Sequence, residues 1–194
     1  MDFAIAKFFN HLGQGTIVDS LSVIISYNGG YIFVLMLLGF LASLKDKIKG
    51  KQVFLAVIIA MTLHFAISDG FFKSVVPRYF ETKERPYIAH PQEITPLGKL
   101  NTSASFPSNH MSSVVSVLGV LTYFYRRYWK LAVAFTILMA FSRMHNGMHY
   151  PSDILGGIIF GILYSQLAVY LVEKYSSKIN SLIDGSLHFL KLSK

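Results

Sequence analysis

Cysteine is absent from the 194 residues. That excludes a disulfide scaffold, a zinc–thiolate or iron–sulfur site and a thiol nucleophile. Charge is scarce as well. Charged residues make up 14% of the chain, against about 25% in an average soluble domain. Ten Asp and Glu face eighteen Lys and Arg, giving a net charge of +8, so neither an acidic tail nor a self-repelling disordered chain is in prospect. What is plentiful is apolar: 53% of residues are hydrophobic and the mean hydropathy is +0.46. This balance points to lipid as the solvent. The length suits one domain.

A basic chain can be a nucleic-acid binder, but placement argues against it. Lys45, Lys47, Lys49 and Lys51 share one short polar break, Arg126, Arg127 and Lys130 share another, and Lys174, Lys178, Lys191 and Lys194 follow the last apolar run. Each cluster adjoins a hydrophobic stretch, which is a topology signal and not a nucleic-acid footprint. The apolar runs cover 31–44, 53–72, 111–125, 129–141 and 154–172. Crossing a bilayer takes roughly 20 helical residues. The second and fifth runs fit, the third fits only if its helix starts near Pro107, and the fourth is short. Residues 1–27 carry Asp2, Lys7, Asn10, His11, Gln14 and Asp19 and have no signal-peptide pattern. They read as amphipathic segments lying on the membrane surface, or else as a sixth span. The expectation is an all-α, polytopic membrane bundle of five or six transmembrane helices forming one domain, 1–194. With five spans the three basic clusters fall on one side, the cytoplasmic side by the positive-inside rule. Segments 69–110 and 142–153 then meet on the external face, the first covering the site.

These two external segments hold most of the unusual polar residues, in three short stretches. Pro107-Ser108-Asn109 precedes an apolar helix, as a helix start should. Its free N–H groups and positive dipole end suit an anion, with His110 adjacent. Tyr150-Pro151-Ser152-Asp153 opens the last run in the same way. Asp153 falls in the first turn and can reach back to His149. A carboxylate accepting from one ring nitrogen leaves the other with its lone pair free, and it stabilises the charge that appears on bonding. Arg78, Arg85 and Arg143 match phosphate oxygens bidentately and are always charged. Phosphoryl transfer needs that neutralisation and in-line placement above all.

Together the stretches resemble the type 2 phosphatidic acid phosphatase superfamily, the membrane-integral lipid phosphate phosphatases related to vanadium haloperoxidases. Its pattern is Lys-x6-Arg-Pro, then Pro-Ser-Gly-His, then Ser-Arg-x5-His-x3-Asp. Here the order and spacing match from Arg78 through Arg85-Pro86, Pro107-Ser108-Asn109-His110 and Ser142-Arg143 to His149 and Asp153. Arg78 stands where the family has Lys, and Asn109 where it has Gly. The resemblance implies that His149 attacks phosphorus to form a phosphohistidine, that Asp153 orients it, and that His110 protonates the leaving oxygen and later activates water. It implies that Arg78, Arg85, Ser108, the Asn109 amide and Arg143 hold the phosphate, with no metal and no cofactor. The implied substrate is a phosphorylated membrane lipid: lipid A 1-phosphate, phosphatidylglycerophosphate, undecaprenyl diphosphate or phosphatidic acid. The implied setting is a bacterial inner membrane, with the site on the periplasmic or external face. A lipid phosphotransferase and a non-catalytic transporter or receptor of phosphorylated lipid would use the same anion well.

Other features have blander readings. His145, His149 and Asp153 have metal-like spacing, but Asn146-Gly147 breaks the helix such a site needs. His145 is expected to be structural or at the rim. His64 lies within an apolar run, where a neutral histidine packed between helices is the expectation. Gly157-x3-Gly161 fits close helix packing, within the bundle or in a dimer.

Overall fold

A chain this apolar satisfies its backbone in lipid only through hydrogen bonds made within its own segments. The computed structural model, which describes residues 1–45 and 47–176, accordingly contains eight α-helices and no strand among the described residues. The tail residues Lys178, His188, Lys191 and Lys194 lie outside them. Two short helices come first, α1 (Asp2–His11) and α2 (Ile17–Ile25), the second capped by the Thr16 hydroxyl accepting from Val18 N at 3.2 Å. Then follow α3 (Asn28–Lys45) and α4 (Lys47–Leu63). The α4 helix runs on through a π-helical stretch, His64–Val75, and a 3-10 turn, Val76–Arg78. Chain 79–108 holds only the one-turn α5 (Pro86–Ala89). Last come α6 (Asn109–Phe124), α7 (Trp129–His145) and α8 (Pro151–Lys174).

The helical path through Asp69 to Arg78 shortens the expected external segment, because the apolar run around Phe71, Phe72, Val75 and Val76 continues the helix. Among the described residues two helices are long and apolar enough to cross a membrane, Lys49–Arg78 and Pro151–Lys174, and a third span qualifies if Ile17–Ile25 and Gly30–Leu41, bent by 50°, are one. With 16 and 17 residues, α6 and α7 reach only about 25 Å, short of the roughly 30 Å hydrocarbon core. Arg126, Arg127 and Lys130 lie where α6 ends and α7 begins, and Lys174 ends α8. The other ends of these three helices carry Asn109, His145 and Pro151. The basic clusters and the motif residues thus occupy opposite ends of the bundle.

The core is built by small and β-branched side chains that let helices approach. Val53, Ala56, Val57 and Ala60 of α4, Met111, Val114, Val117 and Val120 of α6, and Ala168 and Val172 of α8 are fully buried. Close approach of α8 to α6 depends on two glycines. A Cβ at position 157 would lie 2.6 Å from the Ser108 carbonyl oxygen, and one at 161 would lie 2.7 Å from Val115 Cβ. The Gly157-x3-Gly161 stripe therefore packs inside the bundle, against the start of α6. We expect Gly157→Ala to push the two helix starts apart and to cost about 1–3 kcal/mol, an overpacking penalty. Unfolding of the detergent-solubilised protein measures it, and a variant as stable as wild type would contradict this packing.

Candidate active site

Three helix ends converge. The Ser108 N–H donates to the Asp153 carbonyl at 3.0 Å, tying the start of α6 to the first turn of α8. The third end is that of α7, which stops after His145 because Gly147 takes φ +70°, a conformation open to glycine without strain. A side chain there would also meet Ile94 Cγ2 at 2.6 Å. The chain then crosses from Met148 to Tyr150 into α8 and buries His149. Between these ends lies a cavity of about 700 Å³ whose polar wall includes Arg85, Asn109, His110, Arg143 and His149.

Among the described residues its two arginines have no direct carboxylate partner, although Asp69 lines the same cavity. Arg85 and Arg143 are 4% and 7% exposed, yet neither forms an ion pair with a carboxylate among the described residues. Arg85 is held by neutral acceptors: Nε donates to the Ser103 carbonyl (2.9 Å), Nη2 to Ser103 Oγ (3.1 Å) and Nη1 to the Met148 carbonyl (3.2 Å). Arg143 Nε has no partner at all. Among the described residues five buried side-chain polar atoms lack a hydrogen bond: Ser108 Oγ, Asn109 Oδ1, Arg143 Nε, His149 Nδ1 and Asp153 Oδ1. Native proteins leave few such atoms. Here all five belong to the residues that the sequence pattern singled out.

His149 Nε2 lies 3.3 Å from Arg85 Nη1. A guanidinium only donates, so Nε2 carries the lone pair and Nδ1 the proton of the neutral ring. Burial, then the positive charges of Arg85, Arg143 and Lys73, hold the His149 imidazole well below its ordinary pKa of 6.5. Asp153 Oδ2 is 3.7 Å from Nδ1, close enough for charge attraction but too far for a hydrogen bond. That oxygen is engaged by Ser105 Oγ (2.5 Å) and the Tyr150 N–H (2.9 Å). His110 Nε2 donates to the Ser26 carbonyl at 2.9 Å, and its ring lies against Tyr31 with centroids 4.8 Å apart.

Arg85, Ser108, Asn109, His110, Arg143, His149 and Asp153 are thus brought together. Arg78 is not: it is exposed at the end of the 3-10 turn and does not line the cavity. Asn109 needs no glycine-like backbone, being the first residue of α6, with no non-glycine residue at positive φ among the described residues. Its side chain donates to Asp69 Oδ1 at 2.6 Å. His145 is structural, with Nε2 2.8 Å from Asp19 Oδ1 and Nδ1 3.0 Å from the Phe9 carbonyl. Among the described residues no cluster of three or more His, Asp or Glu could hold a metal ion. His64 is buried between helices with Nδ1 2.9 Å from Ser112 Oγ. Sequence reasoning missed Lys73, whose ammonium donates to the carbonyls of Ala104 and Ser105 (2.8 Å to the latter). A lone lysine directly after an apolar run, followed by Val75 and Val76, was the available signal. It also missed Ser22 and Ser26, which nothing in the sequence marks.

The model of the PAP2 superfamily matches residues 30–177. The chain is 30% identical over 106 residues to an undecaprenyl-diphosphatase of Bacillus subtilis, covering 55% of this chain and 51% of that protein. It is 28% identical over 131 residues to a lipid A 4′-phosphatase of Bacteroides thetaiotaomicron, covering 64% and 57%. The chain thus spans about half the length of these curated relatives. Its fold is that of the transmembrane PAP2-type phosphatidylglycerolphosphate phosphatase from Bacillus subtilis, with a TM-score of 0.69 at 22% identity over 89% of this chain and 85% of that one.

Because Arg85 lies 3.3 Å from His149 Nε2 and is the charge that lowers the ring's pKa most after burial, Arg85→Gln should raise the imidazole pKa. Ring ¹⁵N resonances of His149 followed against pH measure this. The wild-type ring should stay neutral well below pH 6.5, and the variant should protonate at higher pH. Coincident titrations would contradict the assigned electrostatics.

Proposed function

The chain belongs to the PAP2 superfamily, and from that premise we propose that it hydrolyses a phosphate monoester or diphosphate of a membrane lipid through a phosphohistidine, without a metal ion, at the external face. The carrying observation is the pair of buried guanidinium groups with no carboxylate partner among the described residues, beside which Arg143 Nε and the Ser108 hydroxyl are left without an acceptor. An anion with several acceptor oxygens suits that deficit of negative charge and of acceptors. The cavity lining also includes the apolar side chains of Val23, Ile32 and Phe65. A ligand filling it is amphipathic, which suits a lipid phosphate whose chains stay in the bilayer. The relatives named above act on undecaprenyl diphosphate, lipid A and phosphatidylglycerolphosphate by their names, and these with phosphatidic acid are the candidate substrates.

In this mechanism Arg85, Arg143, the Ser108 hydroxyl and the Asn109 amide hold the equatorial oxygens. The His149 Nε2 lone pair forms a bond to phosphorus as the bond from phosphorus to the lipid oxygen breaks. His110, protonated at Nδ1 as well as Nε2 once the phosphate dianion is bound, delivers its Nδ1 proton to that leaving oxygen and is left neutral. Asp153 stabilises the charge that develops on the ring of His149, closing its 3.7 Å separation from Nδ1. His110 then takes a proton from water, the resulting hydroxide attacks phosphorus, and the N–P bond breaks to release inorganic phosphate. The low pKa of His149 keeps the nucleophile unprotonated at neutral pH. We further propose that α3, α4, α6, α7 and α8 are the five spans, with residues 1–27 at the membrane interface. The helix ends bearing basic clusters then face the cytoplasm. The setting is a bacterial inner membrane.

Phosphate release from a panel of purified lipid phosphates in detergent tests the reading. His149→Ala should lower release by about 10³-fold or more while lipid binding survives, and EDTA should leave the wild-type rate unchanged. Full turnover in His149→Ala ends the nucleophile assignment, and loss of turnover in EDTA ends the metal-free one.

A further inference from the structure

Residues 1–29 precede the stretch matched by the family model, yet Val23, Ser26 and Tyr27 close one side of the cavity. Their polar groups are tied to the site. The Ser26 carbonyl accepts from His110 Nε2 at 2.9 Å. Ser26 Oγ accepts from Asn146 Nδ2 (2.8 Å), and Asn146 Oδ1 accepts from Ser22 Oγ (2.8 Å). Ser142 Oγ donates back to the Ser22 carbonyl at 2.7 Å. One turn away, Asp19 accepts from His145 Nε2 (2.8 Å) and Asn10 Nδ2 donates to the His145 carbonyl (2.6 Å). At the start of α8, Asp2 accepts from the Ser152 N–H at 3.0 Å and its hydroxyl at 2.6 Å.

A segment merely resting on a bilayer would keep such groups in water. Instead Asn10, Ser22, His145 and Asn146 are 1% exposed or less, and each has its hydrogen bonds made. The bonds concentrate on the residues flanking Arg143 and His149, on the start of α8, and on His110 itself. We propose that the α1–α2 segment is a positioning element of the active site. It fixes His110 as the Nε2–H form, leaving Nδ1 to carry the proton to and from substrate. Through His145 and Asn146 it also holds the turn that presents Arg143 and His149. This inference rests on the phosphatase reading above. Asn10, Asp19 and Ser22 touch no substrate and act through the residues they bind.

The test uses the full chain in detergent, with Ser22→Ala, Asp19→Ala and Asp19→Asn assayed on the lipid phosphate the wild type turns over best. Displacements of about an ångström cost up to about 10²-fold in rate. Ser22→Ala and Asp19→Ala should therefore lose about tenfold or more in kcat with KM within about twofold. Asp19→Asn, which keeps an oxygen facing His145 Nε2, should recover most of the loss. Ring ¹⁵N spectra of Ser22→Ala should show His110 no longer held as the Nε2–H form. A merely structural role predicts a lower Tm with unchanged kcat per folded molecule and no rescue pattern. Folded Ser22→Ala and Asp19→Ala proteins with wild-type kcat overturn the proposal while the functional reading stands. Should Asp19→Ala fail to fold, Ser22→Ala, which deletes one hydroxyl, decides alone. A wild type that releases no phosphate from any lipid phosphate defeats the functional reading, and this inference with it.

Discussion

Two guanidinium groups, Arg85 and Arg143, are buried without a carboxylate to meet them. Taking an ion out of water costs several kcal/mol even after relaxation. The carbonyls of Ser103 and Met148 offset part of this for Arg85, but for Arg143 Nε nothing does. The helix starts of α6 and α8 add positive potential and so deepen the imbalance. Asp153 is the only acidic residue among the described buried ones, and one of its oxygens is already committed to Ser105 and Tyr150. The fold therefore maintains an excess of positive charge among the described buried groups, with no carboxylate directly against either guanidinium. The stability that permits this comes from elsewhere, from the apolar interior shared by α4, α6 and α8.

Maintaining such an excess demands that the groups cannot drift toward water or toward Asp153. Backbone geometry supplies much of that restraint. Gly157 and Gly161 let α8 lie against α6, so that the Ser108 N–H can bond the Asp153 carbonyl and lock two helix starts at one level. Gly147 ends α7 abruptly, placing Arg143 on the last turn of a helix and His149 on the crossing that follows. The short lengths of α6 and α7 fit this arrangement, since both terminate at the cavity and neither has to overshoot it.

Much of the site was legible in the sequence because its pieces are helix ends, and helix ends announce themselves through Pro, Ser, Asn and Gly at fixed offsets. Pro107 to His110 and Tyr150 to Asp153 are of this kind, and the structure brings them together. Arg85 and Arg143 were legible by spacing. Arg78 was named by the same spacing but lies exposed, because the helix through Val75 to Arg78 carries it past the cavity. Lys73, near the end of the π-helical stretch, faces Ala104 and Ser105 instead. A π-helix has a different angular step from an α-helix, so no periodicity rule applied to the run 53–72 could have assigned that direction. The number of spans was read from hydropathy alone, whereas helix lengths depend on where each chain end must arrive. Asn109, which stands where the family has Gly, occupies ordinary helical backbone and spends its side chain on Asp69.

The amino-terminal segment follows from the same electrostatic imbalance. Asn10 and Asp19 made 1–27 look too polar for a span, and the reading of a surface-lying segment left them, and the unremarked Ser22, in water. Their partners are in fact His145, Ser142 and Asn146, residues that only the folded chain brings near. The first turn of α6 fixes the backbone of His110 but not the rotation of its ring. Within a field dominated by Arg85 and Arg143 a neutral imidazole is free to choose either tautomer unless something outside α6 selects one. A carbonyl does so unambiguously, because it only accepts, and the Ser26 carbonyl is the one placed there. An electrostatically strained pocket thus needs a neutral, hydrogen-bonded wall. Serine and asparagine groups build that wall where added carboxylates would have cancelled the charge they were meant to hold in place.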